Sequence, residues 1–404
     1  MKIQLPENVS NIIQKLIEYG YEAYAVGGCV RDSIISRVPG DWDITTSATP
    51  MEVKKLFRRT VDTGIEHGTV TVMIGREGYE VTTYRIDGEY EDGRHPESVE
   101  FTTSLREDLR RRDFTINAMA YNDETGLVDM FDGIGDIERK IIRCVGNPEE
   151  RFSEDALRML RAIRFSAQLG YVIEEGTAAA IRKLAYTIAK ISKERIHTEL
   201  NKILLSDNPD YVIKAKELGI TDIVLGIMDK IQDTSVATAH MNRLPKDISM
   251  RYAALFAEAG ADATGKMLRE LKLDNNTIDT ATKLAGLHGL EFKDNEISVR
   301  RQASEIGVSM YDRLLTFEHA YYEVTGNTDK ADGIVTVREI FRKILERKDP
   351  LTIKDLAVTG GDLISAGMNP GKEMGEVLKR MLEDVIENPE HNEKEYLFKN
   401  HLHI

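Results

Sequence analysis

Cysteine is scarce in this sequence: only Cys29 and Cys144 occur among 404 residues. Two cysteines provide neither a metal-ligand spacing nor a disulfide framework, which is typical of proteins in a reducing cytoplasm. The sequence also lacks any run of about 18 apolar residues, so it predicts no membrane-spanning helix. No apolar segment of the signal-peptide type follows residues 1–6. We therefore expect a cytoplasmic protein without a membrane partner.

Positive charge is in the minority. The chain has 54 Lys and Arg against 68 Asp and Glu, a formal net charge of −14. This balance argues against a protein that coats nucleic acid indiscriminately, but local basic stripes could still bind a folded RNA at selected phosphates. The apolar content of 41% and charged content of 30% are typical of soluble globular proteins. The length predicts roughly two to four domains.

The pattern of the chain changes near residue 146. The earlier part is α/β, with β-rich segments expected at 22–26, 41–45, 69–74, 79–84, 99–103 and 141–145. Residues 75–78 should join two of these segments as a hairpin, and helices are expected at 31–36 and 50–57. From Asn147 onward the pattern is helical, with no clear strand. Breaks are expected near 206–209, 287–289 and 349–350.

The carboxylates Asp41 and Asp43 are the most informative feature of the chain. On a strand at 41–45, both side chains would point to the same side. Two oxygen donors in that arrangement suit a hard divalent cation such as Mg²⁺. Glu80 could be a third carboxylate of this group, or a surface side chain.

A Gly-Gly-Cys-Val-Arg-Asp sequence at 27–32 precedes the carboxylates. The glycines leave backbone amides bare, and a phosphate could lie against them. Either motif alone is more often a turn or a solvated loop. Together and in this order they favour phosphoryl or nucleotidyl transfer, which combines a metal ion with phosphate binding.

A helix is predicted to begin at Ser153 as N-cap. Its apolar face should pack inward through Ala156, Leu160, Ile163 and Ala167. Its charged residues step every three positions and should sweep across the exposed side. They are Asp155, Arg158, Arg161 and Arg164.

Asp155 and Arg158 could read a nucleotide base. Cytosine and adenine both present an amino donor beside a ring-nitrogen acceptor, which a carboxylate and an arginine match. Uracil and guanine reverse both polarities, so this pair would accept CTP and ATP and refuse UTP and GTP. Arg161 and Arg164 would then meet phosphates. The alternative is a solvated face with an i,i+3 ion pair.

Residues 110–119 contain three consecutive arginines followed by Asp113. Arg112 could bind the nucleotide phosphates and Asp113 a ribose hydroxyl. The alternative is a basic turn that opens a helix. A second basic stretch, at 338–348, could contact RNA or could be a solvated helix face.

Four motifs in this order carry a family resemblance. They are Gly-Gly-x-Val-Arg-Asp at 27–32, Asp-x-Asp at 41–43, Arg-Arg-Asp-Phe-Thr-x-Asn-Ala at 111–118 and Glu-Asp-x-x-Arg-x-x-Arg at 154–161. Looser similarity continues at 192–200 and 361–371. On these residues the sequence resembles the class II CCA-adding enzymes, tRNA nucleotidyltransferases of the bacterial group that also contains poly(A) polymerases.

The resemblance implies an α+β protein with a seahorse-like architecture. A nucleotidyltransferase-type mixed α/β head with a small β-sheet would span residues 1–146. An all-α neck with base-reading helices would follow at 147–207. A helical body would span 208–290, and a helical, tRNA-binding tail 291–404.

The resemblance also implies the roles of individual residues. Asp41 and Asp43 would be catalytic and would bind Mg²⁺ in a two-metal centre. The nucleotide would be bound by Gly28, Arg31, Arg112, Asp155, Arg158, Arg161 and Arg164. The partners would be CTP, ATP and tRNA, held at its acceptor stem and TΨC arm. No obligate protein partner is evident.

The activity implied is stepwise addition of C, C and A to the tRNA 3′ end, with release of pyrophosphate and no nucleic-acid template. A polar loop at 87–96 favours full CCA addition or A-addition alone. A poly(A) polymerase on the same scaffold is the nearest alternative. A non-catalytic RNA-binding protein and a nucleotidyltransferase for a small molecule are more remote ones.

Overall fold

A computed structural model describes residues 2–88, 99–231 and 233–402. The chain divides into two compact units, Met1–Met228 and Asp229–Ile404. The finer division at residues 146, 207 and 290 stays a prediction. Most of the expected loop at 87–96 lies outside the described residues.

All described strands lie in the first unit. They are β1 (Ala23–Val26), β2 (Asp43–Thr46), β3 (Thr60–Gly64), β4 (Thr69–Ile74), β5 (Glu77–Thr83), β6 (Arg85–Asp87), β7 (Val99–Phe101), β8 (Met119–Asn122), β9 (Gly126–Asp129), β10 (Ile141–Ile142) and β11 (Val172–Ile173). Seven of them form one sheet in the order β3-β4-β5-β2-β1-β8-β9. The β2–β5 pair is parallel and the other pairs of this sheet are antiparallel. The expected mixed sheet is confirmed, with β2 between β1 and β5.

The two smaller sheets correct the sequence-based expectations. β6 pairs with β7, and β10 pairs in parallel with β11. The expectation of an all-α chain after residue 147 is therefore wrong at Val172–Ile173. A strand of two residues has no periodicity to read, and a parallel partner is distant in sequence.

Two strand boundaries also differ from expectation. β2 begins at Asp43, so Asp41 precedes the strand. The β4–β5 hairpin turns on two residues, Gly75 and Arg76, because Ile74 pairs with Glu77. Gly75 has a φ of 63°, the left-handed conformation that tight hairpin turns require.

The helices of the first unit are α1 (Glu7–Glu18), α2 (Gly28–Ile34), α3 (Pro50–Leu56), α4 (Leu105–Arg110), α5 (Gly133–Arg139), α6 (Pro148–Glu154), α7 (Leu157–Leu169), α8 (Glu175–Leu184), α9 (Lys193–Leu204), α10 (Tyr211–Lys214) and α11 (Thr221–Val224). The predicted start of α3 is confirmed: Thr49 and Glu52 form a capping box and Pro50 is the first helical residue.

The predicted helix from Ser153 is divided into α6 and α7. Ser153 is not an N-cap, because it lies within α6, where its hydroxyl donates to Glu149 O at 2.8 Å. Asn147 caps α6 instead. Asp155 interrupts the helical path, and its Oδ1 accepts from Leu157 N at 3.0 Å at the start of α7. The predicted apolar face of α7 is confirmed, since all four of its residues are buried.

The core beneath the main sheet fixes the segment that follows α4. Leu105 and Leu109 of α4 are buried with Tyr24 and Val26 of β1, and with Ala120 of β8. This packing holds α4 against the sheet, so residues 111–113 are anchored beside the strands.

In the second unit, the described regular structure is helical. It consists of α12 (Thr234–Arg243), α13 (Ile248–Phe256), α14 (Gly260–Glu270), α15 (Asn275–Leu287), α16 (Glu296–Ile306), α17 (Val308–Val324), α18 (Thr328–Arg347), α19 (Gly360–Ser365), α20 (Lys372–Glu387) and α21 (Lys394–His401). The predicted breaks at 206–209, 287–289 and 349–350 follow the ends of α9, α15 and α18. Across the described ranges, no helix combines the length and apolarity needed to cross a membrane.

Candidate active site

Asp41 and Asp43 are both exposed, and they line one cavity together with Glu80. Ile44 of β2 pairs with Val81 of β5, which places Glu80 next to Asp43 across the parallel ladder. Partial burial and the charges of Asp43 and Asp41 raise the pKa of Glu80. Desolvation also raises the pKa of Asp43, with a further increase from Asp41 that Arg112 opposes. The three carboxylates therefore share one electrostatic environment, although Asp41 is not on the strand.

A cavity of about 600 Å³ opens beside these carboxylates. Its lining includes Asp41, Trp42, Asp43, Tyr79 and Glu80. Among the residues that the structure describes, no three His, Cys, Asp or Glu side chains are arranged closely enough to hold a metal ion. Asp41 and Asp43 are nevertheless two neighbouring, negatively charged carboxylates, and their oxygen atoms are suitable ligands for a divalent cation.

The glycine turn joins β1 to α2. Gly27 has a φ of 85°, in the left-handed region that favours glycine. An alanine Cβ at this position would lie 3.0 Å from Nη1 of Arg112. The turn is therefore shaped to allow the close approach of an arginine, and Gly28, the first residue of α2, follows directly.

Arg112 lies between this turn and the interior. Its Nη2 is 3.5 Å from Oδ2 of the buried Asp108. Its Nε is buried and has no hydrogen-bond partner among the described residues. The alternative of a basic turn that opens a helix holds only in part: Arg111 and Arg112 follow the end of α4 at Arg110, and the next helical residues are a single 3₁₀ turn at Thr115–Asn117.

Arg31 is almost completely buried and is held by two side chains. Its Nη1 donates to Asn117 Oδ1 at 2.5 Å, and its Nε donates to Asp32 Oδ1 at 2.9 Å. Asn117 in turn donates to Oδ1 of Asp113 at 3.1 Å. Asn117 thus links the glycine motif to the arginine motif.

Asp113 connects the first part of the unit to α7. Its Oδ2 accepts from Nε and Nη2 of Arg161, at 2.8 and 2.6 Å. Burial would raise the pKa of Asp113, but Arg161 and Asn117 outweigh burial and hold that pKa well below its usual value. Asp113 is therefore ionised and forms an ion pair with Arg161 in this structure.

Each charged residue of the α7 row has its own partner. Asp155 Oδ2 pairs with Arg195 of α9 at 2.6 Å, and Arg158 Nη1 donates to Glu154 at 2.5 Å. The i,i+3 ion pair considered for Asp155 and Arg158 is therefore replaced by two other ion pairs. Arg158 also donates to the Arg111 carbonyl at 3.2 Å.

The expectation of an exposed row is wrong at Arg164, which is 8% exposed. Its Nε lies 2.6 Å from Oε2 of Glu199, a residue of α9. Its guanidinium also stacks on Phe165, 3.9 Å from the ring centroid. Burial lowers the pKa of Arg164 to about 10.

Sequence reasoning did not assign Asp108, Asn117, Arg195 or Glu199 to this network. Asp108 precedes Arg111 and Arg112 by three and four residues, the spacing of helical ion pairs, and this signal could have identified it. Asn117, Arg195 and Glu199 lie inside recognisable motifs, but the residues that they bind in the network, Arg31, Asp155 and Arg164, are more than 30 residues away in sequence.

Family models match most of the chain. A "Poly A polymerase head domain" matches residues 23–143. A "Probable RNA and SrmB-binding site of polymerase A" matches 170–231, and a tRNA nucleotidyltransferase domain 2 matches 246–400. The CCA-adding enzyme of Limosilactobacillus fermentum is 38% identical over 99% of this chain and 98% of its own. The chain belongs to the CCA-adding enzyme family.

Two further comparisons agree. The CCA-adding enzyme of Ligilactobacillus salivarius is 38% identical, over 96% of this chain and 94% of its own. The crystal structure of the Bacillus stearothermophilus CCA-adding enzyme in complex with CTP is 34% identical, with a TM-score of 0.77 over 96% of this chain and 95% of its own. Enzymes of this family are nucleotidyltransferases that generally need a divalent metal ion.

Proposed function

We propose that this protein adds C, C and A stepwise to the 3′ end of tRNA, using CTP and ATP without a nucleic-acid template and releasing pyrophosphate. The observation that carries this proposal is the exposed Asp41 and Asp43 pair, with Arg112 near enough to Asp43 to lower its pKa, in a chain that matches a CCA-adding enzyme over 99% of its length. Both cysteines are free and buried, which fits the cytoplasm, where tRNA, CTP and ATP meet.

Asp41 and Asp43 are proposed to hold Mg²⁺. Desolvation raises the pKa of Asp43 and the charge of Asp41 raises it further, so a cation between the two carboxylates would be favourable. When bound, the metal supplies charge neutralisation at the triphosphate and lowers the pKa of the RNA 3′-hydroxyl. The carboxylates orient that reaction, and catalysis is mainly positioning and charge stabilisation.

The nucleotide is proposed to lie between the glycine turn and α7. The amide of Gly28 and the guanidinium groups of Arg31 and Arg112 face the triphosphate and sugar. Asp155 and Arg158 read the base by its hydrogen-bonding pattern. Arg161 supports the site through Asp113, and Arg164 through its buried pair with Glu199.

The four-part division into head, neck, body and tail is part of the same proposal. The head and neck would carry the chemistry. The helices of the body and tail would hold the acceptor stem and TΨC arm of tRNA by shape and phosphate contacts.

Defined tRNA ends test the activity. Transcripts ending before CCA, after the first C and after CC are incubated with the protein, Mg²⁺, and CTP or ATP singly and together. Two C additions followed by one A are expected. An A added only to the CC end would indicate an A-adding enzyme, a long A tail a poly(A) polymerase, and no product an RNA-binding protein.

Variants of the carboxylates test the metal site. Asp41→Ala and Asp43→Ala should each abolish incorporation and leave tRNA binding nearly intact, because the pair binds the metal and not the RNA. Asp123→Ala, at another exposed aspartate of the same unit, is the control and should stay active. Full activity of either Asp41→Ala or Asp43→Ala would refute the metal role.

A further inference from the structure

We propose that Asp108 is a positioning residue that aligns Arg112 with the strand carrying Asp43. The inference rests on the proposed nucleotidyl transfer and deepens it. Asp108 lies on α4, outside the cavity, so it acts through Arg112 and not by touching the nucleotide.

The Asp108 carboxylate is fully buried and uses both of its oxygens. Oδ1 accepts from Nε and Nη2 of Arg111, at 3.0 and 2.6 Å. Oδ2 accepts from Oγ1 of Thr45 at 3.0 Å and faces Nη2 of Arg112 at 3.5 Å. Buried charges are stable only with such partners, so these contacts keep the carboxylate ionised and fixed.

Thr45 makes this contact relevant to the site. It lies two residues after Asp43 on β2, and its side chain is buried. One carboxylate therefore joins the strand that carries a proposed metal ligand to two consecutive arginines. Movement of α4 relative to β2 would break these bonds.

Arg112 also lies close to Gly27, where an added Cβ would be 3.0 Å from its Nη1. The long contact to Asp108 leaves its buried Nε without a partner among the described residues. Arg111, by contrast, gives two short hydrogen bonds to Asp108. Arg111 and Thr45 thus hold Asp108 in place. Asp108 in turn orients Arg112 toward an anion bound beside Asp43.

The chain contains a matched control for this arrangement. Asp136 is also fully buried in the first unit and also binds one threonine and two arginines. Thr115 Oγ1 donates to it at 2.7 Å, Arg139 Nη2 at 2.8 Å and Arg143 Nε at 3.1 Å. None of these arginines is proposed to bind the nucleotide.

The experiment compares Asp108→Asn with Asp136→Asn in the full-length protein. Thermal unfolding and the KM and kcat for CTP and ATP are measured on the tRNA ends described above. Both variants should lose stability to a similar extent. Only Asp108→Asn should raise KM for both nucleotides, by about tenfold, the effect of one weakened charge-assisted hydrogen bond.

Three further readouts separate positioning from a structural role. The preference for CTP over UTP should not change in Asp108→Asn, because Arg112 meets phosphates and not the base. In an Arg112→Ala background, Asp108→Asn should add no further rise in KM. Thr45→Val, which removes one bond to Asp108, should raise KM in the same direction by a smaller factor.

An equal rise in KM in Asp136→Asn would overturn the proposal. Additive effects of Asp108→Asn and Arg112→Ala would also overturn it. If Asp108→Asn does not fold, an unchanged KM in Thr45→Val decides against the inference. Failure of the unmodified protein to add any nucleotide would instead contradict the proposed function itself.

Discussion

Gly27 combines two constraints at a single residue. Its positive φ is unfavourable for any side chain, and its missing Cβ makes room for the Arg112 guanidinium. These constraints are separable, because Gly20 has almost the same φ, 88°, but no heavy atom within 4 Å of an added Cβ. Gly20 is therefore a reference for an alanine at positive φ without a clash, and Gly27 adds to this a ψ of −130° and the contact with Arg112.

We expect Gly20→Ala to lose about 1 kcal/mol of stability for an alanine at positive φ. Gly27→Ala should lose more, because the ψ of −130° at Gly27 lies in the mirror-β region that glycine alone adopts readily. Only Gly27→Ala should also displace Arg112, lowering kcat/KM by up to about a hundredfold, the scale of a misplaced group at a reacting centre. Thermal unfolding and single-nucleotide addition measure the two effects. Equal kcat/KM in the two variants would contradict the role of the glycine as space for Arg112.

At the scale of elements, α9 supports α7 at both ends of its charged row. Arg195 pairs with Asp155, and Glu199, one helical turn later, pairs with Arg164. The first pair is partly exposed and involves a proposed base-reading residue. The second is buried and lies against Phe165. The two pairs therefore have different expected roles although they share one helix.

Arg195→Met should relax the choice of CTP over UTP, because Asp155 loses the contact that fixes its carboxylate. Glu199→Ala should instead destabilise the fold by about 3–5 kcal/mol, since it leaves a buried arginine without its partner. Thermal unfolding and misincorporation assays on both variants make the comparison. Unchanged base selectivity in Arg195→Met would show that Asp155 is held in place by other contacts.

At the scale of the whole molecule, the net charge of −14 opposes RNA binding. Each basic side chain that is not paired with a carboxylate is therefore important for binding RNA. Much of the basic stretch at 338–348 is already neutralised. Arg342 pairs with Glu339 and Glu346, and Arg347 with Glu296 and Asp349. Lys343 and Lys348 are exposed, and they form no ion pair with another residue that the structure describes.

If this stretch contacts tRNA, Lys343→Gln/Lys348→Gln should flatten the salt dependence of tRNA affinity by about 0.7–0.9 in log–log slope per lost phosphate contact. Arg342→Gln/Arg347→Gln should flatten it less, because those charges are partly neutralised. Filter binding across a range of salt concentrations measures the slopes. If the double lysine variant has the same salt dependence of tRNA affinity as the unmodified protein, the stretch is a solvated helix face.

Local signals predicted local structure well. The start of α3 was readable because Thr49, Pro50 and Glu52 cap a helix with adjacent residues. The break between α6 and α7 was missed at Asp155. An aspartate can cap a helix, but the residues on both sides of Asp155 have a helical pattern, and that pattern predicted one continuous helix. β11 was missed because β10, its ladder partner among the described strands, is about 30 residues away.

The sequence by itself determined the family, the α+β class and the identity of the candidate residues, since these depend on residue types at short, fixed spacings. The tertiary structure decided which charge meets which. Asp155 meets Arg195, Arg161 meets Asp113, and Arg164 is buried against Glu199. Helical periodicity predicts which face a side chain is on. The partner on that face depends on how distant segments pack, because an ion pair forms between any two opposite charges that the fold brings together.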